Sequence, residues 1–265
     1  MQRLLSAVLV VILCACPYAT HSLADDASEW GHVRGRFVYD GPLPEVRMFP
    51  VTTDKEAFGD EIADESLVVH PENKGIANVV VFLLPDADAE LRVHPSYDDE
   101  VEAKVVLAMH KGRFAPHVML VRTTQTLVVR NEDEVGHCAR MHFKNNGDLV
   151  PLIPVARDTE SKLNKEESSP CAAACMIHPW MSGYVLVRAN PYMAVSNEDG
   201  QFEIKNLPVG KHVLQFWHER VGWLREVKIG MHKTDNRGRL TVTIAPGDND
   251  LNSAELPPEV FEKVK

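Results

Sequence analysis

The chain has 265 residues, with 28 Lys and Arg against 38 Asp and Glu, for a formal net charge of −10. A hydrophobic share of 45% and a charged share of 25% describe one large or two modest globular domains, and exclude a disordered chain or a multi-span membrane protein. The acidic balance argues against a nucleic-acid partner, because nothing would neutralise phosphates.

The first elements are not part of the fold. Arg3 and the apolar run from Leu4 to Ala15, followed by Ser22-Leu23-Ala24, read as a signal peptide over 1–24, cleaved after Ala24. Leu13-Cys14-Ala15-Cys16 leaves open a lipobox that would tether the chain through Cys16. No other stretch approaches ~20 apolar residues, so the mature chain is expected to be periplasmic or secreted, with no membrane span. It would keep Cys138, Cys171 and Cys175. Three cysteines cannot all pair within one chain, so in an oxidising compartment at least one is a free thiol, a metal ligand or an intermolecular link.

The body reads as β. Short runs rich in Val, Ile, Phe and Leu predict strands at His32 to Tyr39, Ala77 to Leu84, Ala103 to Met109, His117 to Val121 and Thr126 to Arg130. Further strands are predicted at Gly183 to Arg188, Gln201 to Ile204, His212 to Trp217 and Leu240 to Ile244. Turns are marked by Asp40-Gly41-Pro42, Asp199-Gly200, Pro208-Val209-Gly210 and Arg237-Gly238. No segment sustains a helical period beyond about three turns. The class is therefore all-β, built as sandwiches or small barrels. Asn145 to Pro170 is expected to be the least structured interior stretch, a solvated loop or short helix over Arg157 to Ser169. Residues 246–265 are expected to be a frayed polar tail.

The chemistry concentrates between His137 and Met181. Cys175-Met176-Ile177-His178-Pro179-Trp180-Met181 is C-x2-H-x2-M, one thiolate, one imidazole and one thioether in seven residues. Asn131 to His137 places a second imidazole just past a predicted strand. Two His, one Cys and a weak Met fit a trigonal blue-copper set. The spacing suits a loop between two strands, with Cys closing one and Met opening the next. His110, His117 and His142 lie nearby as alternative ligands, His117 being the more structural. Trp180 reads equally as a shield, an electron path or packing. Trp217-His218-Glu219 reads as a buried Trp beside a solvated His-Glu pair.

The segment resembles cupredoxins. C-x2-H-x2-M with Pro after the His is similar to their ligand loop, and Phe114 to His137 is similar to their strand, N-x-D turn and first copper His. The resemblance covers about a third of the chain. It implies a Greek-key sandwich and one copper, with His137, Cys175 and His178 as equatorial ligands and Met181 axial. Cys138 stands where the family usually carries Asn. Cys171 four residues before Cys175 comes within one residue of the binuclear copper loop, C-x3-C-x3-H-x2-M. On the mononuclear reading, Cys138 and Cys171 could pair as a disulfide.

Tyr192 to Leu214, with Asp199-Gly200 and Leu207-Pro208-Val209-Gly210, resembles the carboxypeptidase regulatory-like, transthyretin-like sandwich, and Val33 to Pro44 is similar to that fold's first strand and turn. The implied division is 30–84 with 191–245 as that sandwich, and 85–190 as the copper domain between them. No G-x-S-x-G or H-E-x-x-H occurs, so no enzyme is expected. The expected function is exported, mononuclear copper electron transfer with a redox partner protein. A binding or adhesion module with a degenerate or structural metal site, touching carbohydrate or an envelope component, is the alternative. Copper storage or delivery is a third reading.

Overall fold

A computed structural model describes residues 29–86 and 90–262. The expected leader over 1–24, its cleavage point and Cys16 lie outside the described residues. Among the described residues, no helix is long and apolar enough to cross a membrane.

The chain begins with β1 (Trp30–Tyr39), then a small hairpin of β2 (Met48–Pro50) and β3 (Glu61–Ala63) around the one-turn helix α1 (Lys55–Phe58), and then β4 (Val80–Leu84). A 3-10 turn at Pro95–Glu100 leads to β5 (Lys104–His110), β6 (Arg113–Ala115), β7 (Val118–Arg122) and β8 (Thr126–Asn131). Next come β9 (His137–Phe143), β10 (Gly147–Leu149), β11 (Leu152–Ile153), β12 (Asp158–Lys162), β13 (Cys171–Cys175) and β14 (Ser182–Arg188). The last part holds β15 (Met193–Val195), β16 (Gln201–Pro208), β17 (Gly210–His218) and β18 (Gly222–Trp223). It closes with β19 (Lys228–Ile229), β20 (His232–Lys233), β21 (Arg239–Ile244), β22 (Gly247–Leu256) and α2 (Pro258–Glu262).

Four larger sheets stack, while β2-β3 and β19-β20 form two-stranded sheets of their own. The order is β16-β1-β22 in the first, β15-β4-β17-β18 with β21 on β17 in the second, β10-β9-β13-β14-β7 in the third and β12-β8-β5-β6 in the fourth. Three apolar layers separate them. The first holds Phe37, Val81, Leu83, Phe202 and Phe216. The middle one holds Val80, Phe82, Val118, Leu186 and Trp217. The third holds Leu107, Leu127, Met141, Val185 and Val187. The two-residue period of a strand explains how neighbours in sequence serve different layers. In β4, Val81 and Leu83 face the first layer while Val80 and Phe82 face the middle one. In β14, Val185 and Val187 face the third layer while Leu186 faces the middle one. The two sandwiches thus share a buried seam, and the unbroken apolar runs of β4 and β14 are what a strand covered on both faces requires.

Four expectations are corrected. Residues 247–256 are not frayed: β22 runs parallel to β1 along almost its whole length. Leu251, Ala254 and Leu256 point inward, and a bulge with Asn252 at φ 64° breaks their alternation, so the strand reads as a polar tail. The stretch 145–170 carries β10, β11 and β12; β12 pairs β8 as an edge strand and is polar because it is half-exposed. The hairpin at 48–63 packs with the third layer, where Val51 and Ile62 are buried, rather than with the strands around it in sequence. Finally, Cys138 and Cys171 are both free thiols. The β9–β13 register sets Cys175 against Ala139. Cys138 and Cys171 are thereby offset by about 16 Å along the strands, far beyond disulfide reach.

Candidate metal centre

The turn between β8 and β9 is fixed before any ligand is placed. Asn131, almost fully buried, accepts the Asp133 N–H through Oδ1 at 3.0 Å, the local turn that an Asn side chain favours. Its Nδ2 donates to Val135 O at 2.7 Å and to Ile153 O at 3.1 Å, tying the turn to β11. His137 then opens β9 with its ring fully buried. On the neighbouring strand, Cys175 closes β13, and Met181 precedes β14 by one residue. The loop between them is pinned by Met176 N–H to Cys138 O at 2.8 Å, Met181 N–H to His178 O at 3.0 Å and Cys175 N–H to Met181 O at 3.2 Å. Cys138 therefore ties the start of β9 to the Cys175–Met181 loop through its backbone carbonyl.

Three donor atoms converge in this corner. Cys175 Sγ lies 3.7 Å from His137 Nδ1 and 3.6 Å from His178 Nδ1, and the two Nδ1 atoms are 3.0 Å apart. A circle through the three has a radius of about 2.0 Å, close to a metal–imidazole bond length. All three residues are buried. Each ring turns its other nitrogen to a carboxylate: His137 Nε2–H donates to Asp133 Oδ2 at 3.1 Å and His178 Nε2–H to Asp54 Oδ2 at 2.8 Å. With both Nε2 protons so committed, two nitrogen lone pairs face each other beside a sulfur. Such a cluster of lone pairs is what a metal cation would draw together. Burial, and then the neighbouring His178, push the His137 pKa down against the pull of Asp133, which keeps the ring in its neutral, donor form.

The donor set His2Cys fits copper. Met181, buried in the same loop, is the remaining sulfur of the C-x2-H-x2-M motif. Phe58 of α1 lies 5.2 Å from the His178 ring and 6.2 Å from the His137 ring, and Trp180 lies 5.2 Å from His178. Trp180 is buried and so belongs to the apolar wall of the site. Beside Trp180 and Met181, and lined also by Ile62, Gly112 and Arg113, lies a void of about 10 Å³, room for one water.

The other candidates fall elsewhere. His110 is half-exposed beside Glu132, and His142 is exposed and bonded to Asp148. Cys171 faces the third apolar layer about 13 Å along β13 from Cys175. Burial, reinforced by the Glu167 charge, pushes its thiol up to about 11, the opposite of a ligand thiolate. His117 is structural: its Nε2 meets Glu219 Oε1 at 2.6 Å, both side chains being buried. His218 is buried too and its pKa is lowered to about 3 by desolvation. The solvated His218-Glu219 pair expected from sequence is thus buried: Glu219 meets His117, and the His218 ring lies 5.4 Å from Phe261 of the first layer.

Asp54, Phe58 and Asp133 were not legible as site residues. Asp133 carried a faint signal, an acid four residues before the first His. Asp54 lies 124 residues from His178 and carried none.

No protein-family model matches the chain, and no curated protein matches it. Solved structures similar to it include a mutant of amicyanin in its reduced Cu(I) form at pH 4, 19% identical, covering 32% of this chain and 82% of that one, at a TM-score of 0.29. Another is the copper-containing nitrite reductase from Thermus scotoductus SA-01, 20% identical, covering 40% of this chain and 25% of that one, also at 0.29.

Proposed function

We propose that this chain binds one copper ion through His137, Cys175 and His178, with Met181 as a weak fourth donor, and carries single electrons. The convergence of Sγ and two Nδ1 atoms, with both Nε2 atoms tied to carboxylates, is the observation that carries this reading. When bound, copper supplies a one-electron couple, and soft sulfur with imidazole suits both of its oxidation states. The chain's own part is to hold the donors still. His137 and Cys175 lie at strand ends, the loop from Cys175 to Met181 is pinned by backbone bonds, and Phe58 and Trp180 keep water out. A rigid, dry site needs little rearrangement on electron gain or loss.

Electron transfer is favoured over storage or delivery because all three donors are buried under a packed hairpin, which opposes metal exchange. The partner on this reading is a redox protein, and the second sandwich is a non-catalytic carrier joined through the Phe82 and Trp217 seam. Export, with the leader over 1–24 removed, completes the proposal.

Voltammetry of the copper-loaded chain, with metal analysis, tests it. One copper per chain and a reversible one-electron wave are expected. Copper that is bound but does not cycle, or that leaves readily to a weak chelator, would replace electron transfer with storage.

A further inference from the structure

The carboxylate behind His178 comes from a remote part of the chain, and its local conformation is unusual. Asp54 stands at the N-cap of α1, where an Asp side chain ordinarily accepts a bond from the helix's first N–H groups. Here it makes no such bond. Its backbone is left-handed, at φ 54° and ψ 43°, a region an L-residue enters at a cost but that Asp tolerates better than most. The side chain forgoes the cap and reaches His178 Nε2 at 2.8 Å, a shorter bond than the 3.1 Å between Asp133 and His137.

The hairpin that presents Asp54 is anchored. Val51 N–H donates to Asp60 O at 2.8 Å, and Arg113 donates to Ala63 O at 3.1 Å. Val51 and Ile62 are buried in the third layer. Phe58 lies over Gly112, where even a Cβ would stand 3.0 Å from its ring. The segment is therefore held against the metal centre by its own packing, independently of Asp54.

We propose that Asp54 is a positioning residue for the metal. From the hairpin tip it fixes His178 in the Nε2–H tautomer, aims Nδ1 at His137 and Cys175, and places a negative charge behind the ring that favours Cu(II) over Cu(I). This rests on the copper reading above. A carboxylate on the far nitrogen of a ligand imidazole sets its orientation and basicity, and losing such a partner ordinarily costs 10–100-fold in metal affinity.

Three variants of the full chain separate the contributions. Asp54→Ala removes acceptor and charge, and Asp54→Asn keeps an acceptor oxygen but removes the charge. Asp60→Asn breaks only the exposed Lys55–Asp60 pair on the same hairpin, as a control. Cu(II) and Cu(I) affinities, the reduction potential and the remote-nitrogen coupling in pulsed EPR are measured for each. Asp54→Ala is expected to lose about 10–100-fold in Cu(II) affinity, with a smaller loss for Cu(I). Asp54→Asn is expected to lose less affinity but to raise the potential, a tenfold loss confined to Cu(II) being a rise of about 59 mV. The remote-nitrogen coupling is expected to change in both, and Asp60→Asn to match the parent. If the parent binds one copper and both Asp54 variants stay within twofold at an unchanged potential, Asp54 is only a surface partner. If Asp60→Asn shifts as far as they do, the effect belongs to the hairpin fold and the proposal fails. A parent that retains no copper overturns the copper reading and this proposal with it.

Discussion

Glu219→Gln should weaken the joint between the two sandwiches in a pH-dependent way. His117 and Glu219 meet at 2.6 Å with side-chain exposures of 6% and 7%, so water screens the pair little. Burial alone would lower the His117 pKa. The Glu219 hydrogen bond and charge, with the Glu65 charge, outweigh it and raise the pKa above the ordinary histidine value. A raised folded-state value means the pair's stabilisation is full below the unfolded pKa of about 6.5 and is lost as pH rises through the folded one. His218 acts with the opposite sign: its value falls to about 3, so it weakens the fold as pH drops below about 6.5. Above pH 7 His218 is neutral in both states, and the difference between variant and parent isolates His117 from the Cys171 thiol, whose contribution is common to both. A buried hydrogen bond to a charged group contributes about 1.5–3 kcal/mol. Glu219→Gln should therefore lose about that much at pH 6.5–7 and progressively less towards pH 9. Urea unfolding at half-unit pH steps reads this directly. A constant difference between variant and parent from pH 7 to 9 would refute the charge argument.

Leu186→Ala should cost about 2–5 kcal/mol, measured by thermal or urea unfolding, because its fully buried side chain fills the seam shared by both sandwiches. A single transition is expected to shift as a whole; two separate transitions would contradict the shared seam. Cys171 should be alkylated about two orders of magnitude more slowly than an ordinary free cysteine at pH 8, since its thiol value of about 11 leaves little thiolate. Peptide mass spectrometry of native and urea-treated chain checks this. Copper at a free concentration about 1,000 times its Kd should raise unfolding stability by about 4 kcal/mol, and chelation should remove the gain. Equal melting temperatures with and without copper would contradict a metal site formed by the fold.

The convergence of His137, Cys175 and His178 was legible because these residues are close in sequence or chemically distinctive. Cys175, His178 and Met181 share one strand-to-strand loop, and His137 follows a turn that Asn131 and Asp133 mark. The carboxylates were not legible in the same way. Asp54 reaches His178 only because the 48–63 hairpin packs away from its sequence neighbours, a consequence of where Val51, Phe58 and Ile62 find apolar cover. The strands were readable where burial on both faces demands continuous apolar residues, as in β4 and β14. They were hidden where one face meets water and a bulge breaks the period, as in β22. Cys138 and Cys171 show how counting misleads: an odd cysteine set invites a pair, while strand register keeps these two apart.

The most direct test of the metal centre is the optical and EPR spectrum of the chain after Cu(II) addition and removal of excess metal, recorded beside Cys175→Ser and Cys171→Ser. One copper per chain is expected, with an intense thiolate-to-copper band that Cys175→Ser abolishes and Cys171→Ser leaves in place. A two-copper spectrum, a band lost in Cys171→Ser alone, or a colourless chain that retains no copper would contradict the assignment of His137, Cys175 and His178.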